Sequence, residues 1–276
     1  MKNVNLKAVT LSLGLCLIFA SCSKDEVTEV NETNAITPEV IAKVESLALN
    51  PEGMTFEEVE YLDGVTKQVY MVEGDIAITP EQLDNMSIYD GITSEQYRTF
   101  NLVSQPRTVS VIGYTGGSNA LSNNMRTGLS WAINNYNRIN LTLNFTLTFG
   151  TNWPANDIVV YRVPNGSSGG SAGFPSGGDP YQFVQIFSGL DNVNPNVTEH
   201  VIGHEIGHCL GLRHTDYFSR QSCGQNVNEG SAGVGAVHIP GTPTGFDPDS
   251  LMLACFNFGV DGEFNANDVT ALQFLY

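Results

Sequence analysis

The spacing of hydrophobic side chains becomes regular from about residue 107 and predicts a series of defined elements. Apolar residues recur every three or four positions over 121–139, which predicts an amphipathic helix. Alternation of apolar and polar residues over 141–149 predicts a strand, and shorter apolar runs predict strands at 109–113, 157–163 and 181–187. Because helices alternate with strands along this part of the chain, it is predicted to form a layered α+β domain.

A second long helix is predicted from its end signals. Asn194 is a suitable N-cap, Pro195 fits the first helical turn, and Gly211 is a suitable C-cap. A shorter helix is predicted at 268–276, at the end of the sequence.

The N-terminal half has weaker patterns. They predict short helices at 38–48 and 55–60, and a strand-turn-strand unit over 66–78 with a Gly-Asp turn. A further helix is predicted to begin at 79–83, in the sequence Thr-Pro-Glu-Gln-Leu.

The first residues predict an export signal. Lys2 and Lys7 precede an apolar run, 11–20, that is too short to span a bilayer as a stable anchor. Small residues then precede Cys22, a pattern that resembles a bacterial lipobox, in which Cys22 is acylated. An ordinary secretory signal with cleavage nearby is the alternative. We therefore expect an exported protein at the outer membrane or cell surface of a Gram-negative bacterium.

Composition and charge define regions and exclude one class of partner. The formal net charge is −17, and nucleic-acid binding needs clustered Lys and Arg, so no such partner is expected. Residues 23–105 hold 17 of the 29 acids, which indicates regions with different roles. The predicted organisation is a lipoprotein signal peptide at 1–21, a tether at 22–36, an acidic N-terminal region at 37–105 and the main domain at 106–276.

The densest group of chemically active residues lies at the end of the second predicted helix. His204 and His208 are four residues apart and therefore lie on one helix face, one turn apart. Gly211 allows the left-handed conformation that turns the chain back, so that His214 can reach the same ion. Three neutral imidazoles predict one Zn²⁺ with an open fourth position, as in catalytic zinc centres.

Glu205 gives the predicted zinc site a reaction. Zinc activates water and polarises a carbonyl group. Glu205, beside the metal, can take the proton from that water and pass it to a leaving amine. The prediction is hydrolysis of peptide bonds in an extended polypeptide, with Glu205 as the catalytic residue.

These residues resemble the signature of the metzincin peptidases, HExxHxxGxxH followed by a methionine turn. All motif positions match, and Met252, in Ser250-Leu251-Met252, is similar to the methionine that forms an apolar floor under the metal. The sequence His-Glu-Ile-Gly-His is similar to the bacterial M57 family, the dual-action HEIGH metallopeptidases. The resemblance implies a metzincin-like catalytic domain: a twisted mixed sheet with an active-site helix and a loop-rich C-terminal subdomain, preceded by a smaller N-terminal region. Residues 169–175 lie where metzincins have the edge strand above the cleft, and a flexible glycine loop is the alternative.

Other histidines and acids are interpreted as structural. His200 continues the face of His204 but lies too far along the helix axis to join the same ion. His238 is interpreted as a surface loop residue, with a place in the specificity pocket as the alternative. Calcium binding by aspartates is possible but unsupported, because no EF-hand spacing is present and solvated turns are favoured. These aspartates are Asp247, Asp249, Asp261 and Asp268.

Cysteine pairing and the role of the acidic region are left as hypotheses. An exported protein can keep a disulfide, and Cys223–Cys255 is favoured because Cys209 lies inside the predicted zinc helix. The acidic region is either a pro-segment that places a carboxylate on the zinc, with Asp75 as one candidate, or a spacer. No upstream cysteine is free to block the metal.

Two functions from different classes follow from these residues. The preferred one is an exported, lipid-anchored, monomeric zinc endopeptidase. The alternative is a surface lipoprotein that binds host protein or glycan and keeps a non-catalytic zinc site. Glu205 argues against the alternative, because a structural zinc site needs no base.

Overall fold

The computed structural model describes residues 36–47, 49–86, 97–99, 101–164, 166–226, 237–243 and 245–276. Five α-helices lie among them: α1 (Pro38–Ser46), α2 (Pro80–Asn85), α3 (Asn123–Arg138), α4 (Pro195–Leu210) and α5 (Ala266–Leu275). The strands in these residues are β1 (Thr55–Glu60), β2 (Thr66–Val72), β3 (Ile76–Ile78), β4 (Tyr97–Arg98), β5 (Arg107–Tyr114), β6 (Leu143–Gly150), β7 (Ile158–Val163), β8 (Gly170–Ser171), β9 (Phe183–Phe187) and β10 (Val237–His238). The predicted signal peptide and Cys22 lie outside the described residues.

The main sheet has five strands in the order β6-β5-β7-β9-β8. β5 runs parallel to β6 and β7, and β7 runs parallel to β9, whereas the edge strand β8 is antiparallel to β9. Helix α3 makes the crossover from β5 to β6 that a parallel pair requires. The predicted α+β architecture, a mixed sheet followed by an active-site helix and a loop-rich C-terminal part, is confirmed.

Helices α3 and α4 pack closely because a glycine stands at their contact. A Cβ atom on Gly128 would lie 2.7 Å from the backbone nitrogen of Glu199. Nearby, the Tyr136 hydroxyl donates a hydrogen bond of 2.8 Å to the carbonyl of Gly203. Covered by α3, the sheet and the C-terminal loops, α4 is buried around its whole circumference from Val197 to Leu210.

The three-stranded N-terminal sheet corrects one prediction. Residues 55–60, predicted as a helix, form β1, which pairs antiparallel with β2. Phe56 lies opposite Tyr70, with ring centroids 4.8 Å apart, while the glutamates at 57 and 58 are exposed. Cross-strand contacts with β2 outweigh the weak helical preference of this glutamate-rich segment.

The N-terminal sheet is joined to the free edge of the main sheet. Ile76 forms a parallel bridge with Ala172, directly after β8. The Ala172 amide donates to the carbonyl of Asp75 at 3.0 Å, and the Ala77 amide donates to the carbonyl of Ala172 at 2.9 Å. The turn at residues 73–75 is thereby fixed at the edge strand β8.

The part that follows α4 is mostly loops. A disulfide joins Cys223 to Cys255, and Cys209 is a free, buried thiol. Helix α5 begins with a capping box, in which the Asn265 side chain and Asp268 each accept hydrogen bonds from the other's backbone. Of the described helices, none combines the length and the apolar character needed to cross a membrane.

The contact between α3 and α4 gives a stability prediction. Gly128→Val should lower the free energy of unfolding by about 1–3 kcal/mol, because the added atoms meet the backbone of α4. At this chain size, that is a fall in Tm of roughly 2–4 °C per kcal/mol, measured by circular dichroism. The matched control is Asn134→Val at an exposed position of α3, which should change Tm little. Equal Tm values for the two variants would show that the close approach does not matter.

Candidate metal centre

Helix α4 carries His204, Glu205 and His208. It starts as predicted, with the Asn194 side chain accepting from the amide of Asn196 and proline at the first turn. His204 and His208 lie one turn apart, with ring centroids 4.6 Å apart. Because α4 is buried on all sides, these polar side chains are held inside the protein.

The helix ends at Gly211, whose φ of +101° is in the left-handed region. A Cβ at this position would also lie 2.9 Å from the carbonyl oxygen of Asn101, so glycine is needed for space as well as for conformation. The amide of Leu212 then donates to the carbonyl of Gly207. This tight turn returns the chain, and His214 comes to lie with ring centroids 5.2 Å from His204 and 5.0 Å from His208.

Each of the three imidazoles has an oxygen atom close to the nitrogen on the outer side of its ring. Nδ1 of His204 donates to the carbonyl of Leu251 at 2.9 Å, and Nδ1 of His208 donates to the carbonyl of Leu212 at 2.8 Å. Nδ1 of His214 lies 3.3 Å from a carboxylate oxygen of Glu73. With Nδ1 as donor, Nε2 carries the lone pair, which is the usual arrangement of metal-ligating histidines.

The residues fit a zinc ion. One ligand atom from each of the three histidines and one from Asp75 lie within 4.8 Å of one another. His208 is completely buried, and its Nε2 atom has no hydrogen-bond partner among the described residues. Burial lowers the pKa of His208 to about 3, so its imidazole is neutral and ready to donate its lone pair. A buried imidazole nitrogen without a partner, beside two other imidazoles, is explained by a metal.

Glu205 is 2% exposed and lies beside the edge strand. A Cβ on Gly170 would come within 2.8 Å of its Oε1 atom, so the glycine leaves room for this carboxylate. Its Oε2 atom has no hydrogen-bond partner in the described part of the chain. Burial, with a smaller contribution from the nearby Asp75 carboxylate, raises the pKa of Glu205 well above its ordinary value.

Met252 lies directly beneath α4. A Cβ on Gly207 would be 2.5 Å from the Met252 sulfur, so the helix and the turn at 250–252 are in direct contact. Asp268 stabilises this turn by accepting from the Ser250 hydroxyl at 2.7 Å and from the Leu251 amide at 3.0 Å. The same Leu251 accepts from His204, so α5 supports the site through the turn.

The role of Asp268 corrects its interpretation as a solvated turn residue. Asp268 is 3% exposed and accepts hydrogen bonds inside the protein. Asp247, another of the calcium candidates, accepts hydrogen bonds from the side chains of Asn265 and Asn267. Sequence reasoning missed this because the stabilised turn lies 17 and 18 residues away along the chain.

The other predicted histidines lie apart from the cluster. His200 lies one turn before His204, outside the group of ligand atoms, and it lines a cavity of about 390 Å³ next to Glu205. Phe256 and Phe258 line the same cavity. His238 lies in β10, opposite Tyr97, and does not line this cavity.

The N-terminal region brings two acids to the histidines. Asp75 Oδ2 lies 3.1 Å from Nε2 of His214 and 3.6 Å from Nε2 of His204. Glu73, which sequence reasoning missed, is fully buried with Arg213, and their oxygen and nitrogen are 2.6 Å apart. Burial alone would raise the pKa of Glu73, but Arg213 and His214 outweigh it and lower this pKa to about 2. The local sequence holds no signal for Glu73 beyond its place beside the predicted Gly-Asp turn.

Comparison with known proteins gives one family. The sequence model described as the dual-action HEIGH metallo-peptidase matches residues 69–276. Two solved structures, titled "Structure of Myroilysin" and "Crystal structure of myroilysin", are each 12% identical to the chain, with TM-scores of 0.40 and 0.39. The first match covers 64% of this chain and 82% of the other chain, and the second covers 71% and 95%. No curated protein matches the chain.

The cluster gives a prediction for metal content. His208→Ala should weaken zinc binding by more than the roughly 10–100-fold that follows loss of an outer-shell partner, because a ligand atom itself is removed. His200 lies one helical turn before His204 and is not among the ligands, so His200→Ala should keep one zinc per chain. Metal content after dialysis, measured by mass spectrometry of the elements, checks both variants. Equal zinc loss from both would argue against the assigned ligands.

Proposed function

Because the chain belongs to the dual-action HEIGH metallo-peptidase family, we propose that this zinc metallopeptidase is an exported endopeptidase that uses Glu205 as its general base. The observation that supports this most is the convergence of His204, His208 and His214 at one point beside a buried glutamate. Family membership supplies the class of enzyme, and the geometry supports the role of each side chain.

The three histidines would hold the zinc through their Nε2 atoms. When bound, the ion supplies a Lewis acid that activates water and polarises the substrate carbonyl. The acceptors on the Nδ1 atoms keep the rings in one orientation, so the ligands need no rearrangement when the metal binds. Met252 provides an apolar support below the helix turn that carries His208.

Glu205 carries out the proton transfers. Its buried carboxylate lies beside the histidines, where it can take a proton from the attacking water. The same carboxyl then gives the proton to the amine that leaves when the peptide bond breaks. Burial of Glu205 keeps bulk water from competing for that proton.

The substrate is proposed to be an extended polypeptide. Edge strand β8 pairs with β9 on one side only, and its first residue, Gly170, lies next to Glu205. An extended peptide can pair with such an edge by main-chain hydrogen bonds. The cavity beside Glu205, with Phe256 and Phe258 in its wall, offers space for a substrate side chain.

Export and lipid anchoring belong to the same proposal. The sequence Phe19-Ala20-Ser21-Cys22 supports acylation of Cys22, and the Cys223–Cys255 disulfide is typical of proteins outside the cytoplasm. We propose a monomer at the outer membrane or cell surface, where the peptidase meets its polypeptide substrates.

The alternative is a binding lipoprotein with a non-catalytic zinc site. One observation favours it, because Asp75 completes a set of four protein ligands and closed four-ligand sites are typical of structural zinc. The observation against it is Glu205, a buried acid beside the ligands, which a structural site does not need. The role of Glu205 therefore distinguishes the two functions.

Glu205→Gln should abolish hydrolysis without loss of the metal. We expect kcat/KM on casein to fall by about 10²–10⁴ or more, since the general base is lost, while zinc content stays at one per chain. Cleavage is measured before and after limited digestion with trypsin, which is then blocked by an inhibitor. The control is Glu199→Gln on the same helix, whose carboxylate faces Asn135 instead of the histidines. Normal activity of the Glu205 variant would exclude its role as base.

The lipid anchor is tested by replacing cysteines in the expressed precursor. Cys22→Ser should prevent incorporation of radiolabelled palmitate and move the protein from the membrane fraction to the soluble exported fraction. Cys16→Ser, inside the apolar run of the signal, should leave labelling unchanged. Palmitate labelling that survives Cys22→Ser would exclude Cys22 as the acylated residue.

A further inference from the structure

We infer that Asp75 is a fourth ligand of the zinc, and that the segment Glu73–Ile78 holds the intact chain in a latent state. The inference rests on the proposed function in one respect, since latency has meaning only for an active peptidase. The ligand assignment itself stands on the geometry of the described residues.

The position of the Asp75 carboxylate fits a metal ligand. Donor atoms about 2.0–2.1 Å from a tetrahedral zinc lie about 3.3 Å from one another. Oδ2 of Asp75 is 3.1 Å from Nε2 of His214 and 3.6 Å from Nε2 of His204, close to that separation. Its Oδ1 atom is buried and has no hydrogen-bond partner within the described residues. Asp75 therefore stands where an open zinc site would bind water.

The backbone of the same residue blocks the edge strand. The carbonyl of Asp75 accepts a hydrogen bond from the amide of Ala172. The amide of Ala77 donates a hydrogen bond to the carbonyl of Ala172. These are the main-chain groups with which an extended substrate would pair after β8. One short segment thus occupies both the metal-facing position and the substrate edge.

The segment is fixed on both sides of Asp75. Before it, Glu73 adopts a left-handed conformation with φ of +58° and is completely buried. Its Oε1 accepts from Nη2 of Arg213 at 2.6 Å and from the amide of Asn50 at 3.0 Å. Since Arg213 directly precedes His214, this ion pair attaches the segment to the loop that carries the third histidine.

After Asp75, the segment is held by apolar packing. Ile76 and Ile78 are buried in a cluster with Phe174, which follows β8 in the chain. The Phe174 ring in turn contacts His208, with centroids 5.6 Å apart. Asp75 is therefore presented to the histidines by a segment that is anchored at both ends.

A carboxylate held in this way competes strongly for the metal. Because it belongs to the same chain, it acts at an effective concentration of about millimolar or higher, and its position costs no further ordering. While the segment stays in place, Asp75 occupies the fourth ligand position and its backbone occupies the edge on which a substrate would pair. Release of Glu73–Ile78, by a cut in the chain or by displacement, is then the activating step.

The test compares Asp75→Ala with Asp84→Ala in the full chain. Asp84 is an exposed aspartate of α2 in the same N-terminal region, so its variant removes one acid without touching the site. Three quantities are measured: zinc affinity by competition with a coloured chelator, the visible absorption of the cobalt-substituted protein, and hydrolysis of a quenched fluorescent peptide by the uncut chain. Thermal unfolding shows that each variant is folded.

For Asp75→Ala we expect zinc affinity to fall at least about 10-fold and the cobalt spectrum to change, because one ligand is lost. We also expect peptide hydrolysis by the uncut chain to rise at least about 10-fold, because the fourth ligand position is freed and the segment, without its bond to the metal, leaves the edge strand more often. Asp84→Ala should match the wild type. Unchanged affinity and spectrum would overturn the ligand assignment. Weaker zinc binding together with lower activity would overturn latency and make Asp75 a permanent ligand.

The metal measurements separate this inference from the peptidase proposal. If Asp75→Ala changes affinity and spectrum but no variant hydrolyses peptides, even after limited digestion, the ligand assignment is supported and the endopeptidase proposal fails. If the digested wild type is active and Asp75→Ala leaves the metal unaffected, the endopeptidase proposal stands and this inference fails.

Discussion

Burial of three imidazoles and a carboxylate in the apolar interior is the constraint on which the structure depends. Polar groups inside a protein are tolerated only when each has a partner, so every ring needs an acceptor on one side and a metal on the other. The carbonyl groups of Leu251 and Leu212 supply two of these acceptors. The positions of these two carbonyl groups are set by neighbouring features of the fold. Asp268 stabilises the turn at 250–252 that carries Leu251, and the left-handed turn at Gly211 positions Leu212.

The group beside the third imidazole comes from outside the region that carries the motif. Glu73 lies near His214 and pairs with Arg213, whose guanidinium is completely buried. A buried charge without its partner is costly, commonly about 3–5 kcal/mol. The N-terminal segment therefore contributes to the loop of the third histidine as well as presenting Asp75. The family match, which begins at residue 69, includes this segment together with the histidines.

Much of the fold could be predicted because local patterns agreed with the tertiary structure. The amphipathic period of α3, the alternation of β6 and the end signals of α4 each had a single good interpretation. The prediction failed at residues 55–60, where six residues carry too little pattern and pairing with β2 decides the conformation. The small strands β4 and β10 were missed for the same reason, since each has only two residues.

The sequence by itself determined the chemistry of the site. His204, Glu205 and His208 lie on one helix, and Gly211 allows the turn that brings His214 back to them. Both features depend on local geometry that a short segment specifies. The sequence offered Asp75 only as one candidate for a carboxylate on the zinc and gave no signal for Glu73, so the tertiary structure decided which groups surround that motif. Glu73 and Asp75 lie more than 120 residues before the histidines, and they reach them because strand β3 pairs beside β8. Contacts between distant segments depend on the packing of whole sheets, which no local pattern encodes.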